Sequence, residues 1–138
     1  MLSNKTQIML DKLLATYLSK GVQPSDIADT MFEEHYIDLD IKKTSTSLVM
    51  TYSFEEPDDE DQLTLITMKY TYNKSMYLQE ISQKVGKGRY KVQWDRSDDL
   101  RTIVNEIILA TSSDSRLEQV VQSLPNEVKG LLKQPIAA

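Results

Sequence analysis

Two stretches of the chain carry the clearest alternation of apolar and polar positions. Leu48, Met50, Tyr52 and Phe54 alternate with Val49, Thr51 and Ser53, and Ile66, Met68, Tyr70 and Tyr72 alternate with Thr67, Lys69 and Thr71. A strand turns successive side chains to opposite faces, so residues 48–54 and 63–72 are predicted as strands with one apolar face and one mostly polar face. The connector Glu55-Glu56-Pro57-Asp58-Asp59-Glu60-Asp61 is expected to end both strands. Its carboxylates repel one another, and Pro57 has no amide to give a ladder.

The same period of two recurs on either side. Ile37, Leu39 and Ile41 alternate with Asp38, Asp40 and Lys42, which predicts a half-buried strand over 36–43 and a polar turn through Thr44-Ser45-Thr46-Ser47. Tyr90, Val92 and Trp94 alternate with Lys91, Gln93 and Asp95, which predicts a strand over 89–95 with those three on one face. Residues 75–85 read two ways. A helix would be capped by Ser75, bury Tyr77, Leu78, Ile81 and Val85, and stop at Gly86. A strand would turn back through Gly86-Lys87-Gly88, and that glycine-rich turn favours the strand.

Helical spacing takes over at both ends. Met9, Leu10, Leu13, Leu14 and Tyr17 form one stripe of a helix over 3–20, with Gly21 at the left-handed stop. A short helix over 25–34, capped by Ser25, carries Ile27 and Met31 on one face. After the strands, Ser97-Asp98-Asp99 starts a helix over 97–110 with Leu100, Ile103, Val104 and Ile107 on its stripe and Leu109 on the far side. A helix over 114–124 carries Leu117, Val120, Val121 and Leu124 and ends before Pro125. A last piece over 127–133 carries Val128, Leu131 and Leu132. The predicted fold class is α+β: an antiparallel meander of four to five strands covered by N-terminal and C-terminal helices. Its apolar face is expected to comprise Leu39, Met50, Tyr52, Met68, Tyr70, Val92 and Trp94.

A length of 138 residues suits a single domain with one real core, and 40% apolar with 27% charged residues excludes wholesale disorder. No apolar run approaches the roughly 20 residues of a membrane span. The first residues lack a charged, then apolar, then small pattern, so no signal peptide and a cytoplasmic location are expected. The absence of cysteine excludes disulfides and thiolate chemistry, and a single histidine excludes a His-rich metal centre.

Net charge is -5, but its distribution says more. Residues 26–61 carry twelve acids against Lys42 and Lys43, whereas residues 62–101 carry eight bases against four acids. The two halves are expected on different surfaces, where they would present opposite fields to a partner or to a second copy.

Candidate chemistry is sparse. Glu55, Glu56, Asp58, Asp59, Glu60 and Asp61 are consecutive and lack the alternating spacing and glycine of a calcium loop. They read as a solvated loop, or as a docking site for a basic partner. His35 follows Glu33 and Glu34, but no residue pattern nominates a nucleophile or an orienting group for it. Asp38 and Asp40 share a strand face with Lys42 and read as its wet side. Lys84, Lys87, Arg89, Lys91 and Arg96 interleave with Tyr90 and Trp94, the composition of a single-stranded nucleic-acid platform. The alternation places the rings with Val92, on the core side, and leaves the bases as an exposed hairpin. Gly86-Lys87-Gly88 lacks the spacing of a phosphate loop.

The sequence therefore leads to a non-enzymatic protein-protein interaction protein of adaptor or chaperone-like type, without metal or cofactor. The surplus apolar residues Leu109, Val128, Leu131 and Leu132 suggest a homodimer through the C-terminal helices. The alternatives are a nucleic-acid-associated protein using the basic hairpin over 84–96, or an acidic nucleic-acid mimic. In composition and element order the chain is loosely similar to type III secretion chaperones, with no shared motif.

Overall fold

The computed structural model describes residues 4–111, 122 and 124–132. The elements are α1 (Asn4–Leu18), α2 (Pro24–Ala28), a 3-10 turn (Asp29–Phe32), β1 (Tyr36–Lys43), β2 (Ser47–Pro57), β3 (Leu63–Asn73), β4 (Leu78–Val85), β5 (Lys91–Asp95), α3 (Arg96–Thr111) and α4 (Asn126–Leu132). The class is α+β, with a five-stranded antiparallel sheet in the order β1-β2-β3-β4-β5. Residues 78–85 are a strand, which resolves the double reading of that stretch. The helix predicted over 114–124 lies outside the described residues, apart from Gln122 and Leu124.

The described residues form two compact units, one of residues 20–96 and one that joins residues 4–19 to those described after residue 96. In the second of these, Leu10 and Leu13 of α1 pack with Leu100, Ile103, Val104 and Ile107 of α3 and with Leu124 and Val128. These are the stripes that the helical spacing predicts, with two corrections: Leu14 is 40% exposed, at the edge of the α1 stripe, and Val128 is fully buried in this core and is not surplus surface.

Residues 20–96 hold the sheet and a core of their own. Met50, Tyr52, Tyr70, Tyr72 and Leu78 are buried on one face, packed against Val22, Ile27, Met31, Met68, Ile81 and Trp94. Ile27 and Met31 come from α2 and the 3-10 turn, whose start differs from the expected Ser25 cap. Gln23 is the cap and Pro24 the first helical residue, where its missing amide costs nothing. The Gln23 N–H donates to Asp26 Oδ2 at 2.7 Å.

Departures from the predicted pattern occur in β2 and β5. The acidic stretch does not end β2, because Glu55, Glu56 and Pro57 pair with Leu65, Thr64 and Leu63. Only Asp58 to Gln62 form the tip, and Pro57 stands at the strand terminus, where a missing amide is tolerated. In β5, Trp94 opposes Ile81 but Val92 opposes Ser82, so Gln93 is an extra residue. Such a bulge reverses the faces beyond it. Val92 is therefore on the polar face, 59% exposed, and Trp94 alone keeps the apolar side.

Candidate interaction edge and charged hairpin tips

The sheet has two edges, and they are built differently. β5 is five residues long and interrupted by the bulge at Gln93, both of which blunt an edge. β1 is eight residues long and exposed from Ile37 onward. Among the described residues its only strand neighbour is β2, with Leu39 opposite Tyr52 and Ile41 opposite Met50. Leu39 and Ile41 thus stand on the apolar face beside buried residues, yet are 36% and 47% exposed. Ile37 is the extra residue of a second bulge and is 52% exposed.

The backbone of β1 follows from its turn. Thr44 N–H donates to Ser47 C=O at 2.8 Å. Antiparallel hydrogen bonding alternates by residue, so Lys42 and Asp40 turn their amides and carbonyls toward β2. Leu39, Ile41 and Lys43 turn theirs away from it. Asp40 and Lys42 are neighbours on the polar face, 4.0 Å apart and exposed.

The hairpin tips are charged. Asp58 organises the acidic one: its Oδ1 accepts the Glu60 and Gln62 amides at 2.8 and 2.9 Å. The remaining acids of the tip are exposed. The tip of β4 and β5 carries Lys87 and Arg89, both exposed, with Lys91 beyond them at the start of β5. In an up-and-down meander the β2–β3 and β4–β5 connections open at the same end. The Gly86 N–H donates to Leu65 C=O at 2.7 Å, which ties the basic tip to the strand returning from the acidic one. The expectation of separate surfaces is thereby corrected: the meander brings both signs to one end.

Tyr90 is on the polar face, where Lys69 Nζ lies 4.2 Å and Lys84 Nζ 5.3 Å from its ring centre. Tyr90 and Trp94 consequently do not share a face, again because of Gln93. Lys69 was not legible as part of this cluster, since only the register places it beside Lys84.

Two clefts border the sheet ends. One, of about 480 Å³, is lined by Lys43, Thr44, Ser47, Leu48, Tyr72 and Lys74 among others. The other, of about 680 Å³, is lined by Glu34, His35, Tyr36, Phe54, Glu55 and Leu63 among others. His35 Nε2 lies 3.6 Å from a Glu33 carboxylate oxygen and its ring 4.6 Å from that of Tyr36. Among the described residues, no three metal-ligating side chains converge.

The buried tyrosines are structural. The Tyr72 hydroxyl donates to Val22 C=O at 2.6 Å, and burial pushes its pKa up to about 12. Burial, then the hydrogen bond with Tyr70, raises that of Tyr52 well above the usual phenol range.

Leu109 is 79% exposed on α3. Its described neighbours one turn back are Asn105 and Glu106, so it stands apart from an apolar patch there. The side chains of Leu131 and Leu132 lie outside the described residues. Among the described residues, no helix is long and apolar enough to cross a membrane. No protein-family model, curated protein or solved structure matches the chain.

Proposed function

We propose that this chain is a non-enzymatic protein-interaction module that receives a partner's strand along β1. The observation that carries this reading is the open β1 edge, with outward amides and carbonyls at Leu39, Ile41 and Lys43 and exposed aliphatic side chains beside them. An edge of this kind is a template for strand addition, in which main-chain hydrogen bonds bind and alternate side chains select. The nucleic-acid alternative is less well supported, because the ring of Tyr90 is occupied by the chain's own lysines rather than free to stack a base.

The test is a photo-crosslinking residue at Leu39, with the same residue at exposed Glu106 on α3 as control, in extract from the native host. The Leu39 probe is expected to trap discrete protein adducts that vanish when Ile41→Pro is added. That substitution removes an outward amide and leaves the β1–β2 ladder intact. Adducts no stronger than those of the control would overturn the reading.

A further inference from the structure

We infer that the strand received by β1 is β1 of a second copy, paired antiparallel about a two-fold axis at Ile41. This rests on the strand-addition reading and names its partner. The face of each residue restricts the register first. Directly opposed residues of an antiparallel pair share a sheet face, so an apolar-face residue must meet an apolar-face residue of the copy. Axes falling between two residues are thereby excluded.

Charge then separates the remaining registers. An axis at Asp40 opposes that carboxylate to its own copy, and an axis at Leu39 opposes Asp38 to Asp40 of the copy. Like charges directly opposite are unfavourable in a sheet. An axis at Ile41 instead opposes Asp40 to Lys42 of the copy twice, Leu39 to Lys43 twice, Asp38 to Thr44 twice, and Ile41 to itself. Every carboxylate of β1 then meets a lysine or a hydroxyl.

The backbone agrees with that register. Ile41, Leu39 and Lys43 hold the amides and carbonyls that β2 does not use, so Ile41 exchanges two hydrogen bonds with its copy. Leu39 and Lys43 exchange two more at each side. The half-exposed Ile41 side chain, which sits next to Met50 within its own sheet, gains its copy as a neighbour. The two sheets become one of ten strands, and the long exposed edge disappears.

The chain contains no cysteine, so single-cysteine variants report the register directly. Residues 37, 39, 41 and 43 are replaced by cysteine one at a time in the full chain. Each variant is joined by a short bis-maleimide, alongside sedimentation of the unmodified chain up to about 500 µM. Crosslinking is expected to peak at Ile41→Cys, the position opposite itself. Leu39→Cys and Lys43→Cys lie about 13 Å from their copies and are expected to react weakly. Asp40→Lys is expected to weaken the dimer about tenfold, as is Lys42→Asp, and the double exchange to restore it within about threefold.

A chain that sediments as a monomer throughout, a dimer unaffected by Ile41→Pro and by Asp40→Lys alike, or a crosslinking peak away from residue 41 would each overturn self-pairing in this register. A monomer whose Leu39 probe still traps a different protein overturns self-pairing alone and leaves strand addition standing. A monomer whose probe traps nothing overturns both.

Discussion

Single residues hold the sheet's ends in place. Gly21 has φ +78°, and a Cβ there would meet Leu78 Cβ at 2.9 Å. Gly21→Ala is therefore expected to lower stability by about 1–3 kcal/mol, read as a reduced denaturation midpoint. Tyr72 is tied to Val22 by one hydrogen bond, and Tyr72→Phe is expected to cost about 1 kcal/mol at neutral pH. The phenol also sets a pH dependence. Its folded pKa of about 12 lies above the ordinary 10.0, so the unfolded chain ionises first as pH rises. The stabilisation is complete below pH 10 and is lost between 10 and about 12. Denaturant titrations across that window are expected to fall less steeply for Tyr72→Phe than for the parent chain. Asp58 shows how an acidic run can hide a structural residue: its carboxylate closes the tip, while the neighbouring acids are solvated.

At the scale of elements, the bulges decide what each strand presents. Val92 is expected to accept Thr within about 0.5 kcal/mol, because the bulge at Gln93 has turned it to the exposed polar face. Met50→Ala, at a fully buried position of β2, is expected to cost about 2–5 kcal/mol by the same denaturation measurement. The alternation in β2 and β3 was readable because both strands are central and keep an unbroken register with each other, so a period of two maps directly onto the two faces of the sheet. It misled in β5 because one inserted residue inverts the pattern and leaves no mark in the composition. The Pro57 stop was misread for a different reason: a proline ends a ladder only if its amide is needed, and at the last pair it is not. Strand β1 was legible as a strand, but not as an edge. Edge status belongs to the register of the whole sheet, and Ile37, Leu39 and Ile41 look the same in sequence whether or not a neighbour covers them. The Tyr90 cluster was hidden likewise, since Lys69, Lys84 and Tyr90 come from three different strands.

For the whole molecule, the two compact units have cores that share none of the described residues. One is closed by joining α1 to α3 and α4, whereas every described core residue of the sheet unit lies within 20–96. A fragment of residues 20–96 is accordingly expected to keep a strand-rich circular dichroism spectrum and a cooperative melt; a fragment without either would show that the sheet depends on the rest of the chain. The charge pattern also acquires a different meaning at this scale. Counting along the chain separated an acidic half from a basic half, but the meander returns their tips to one end, and β1 carries its own balance of Asp38 and Asp40 against Lys42 and Lys43. It is that local balance that makes β1 complementary to itself. The most direct test is amide hydrogen exchange along β1, resolved by residue and compared between dilute and concentrated protein. The Asp40 and Lys42 amides, which face β2, are expected to be protected in both. Those of Leu39, Ile41 and Lys43 are expected to exchange rapidly when dilute and to become protected when concentrated. Outward amides that exchange at the same rate at every concentration would contradict the self-pairing edge.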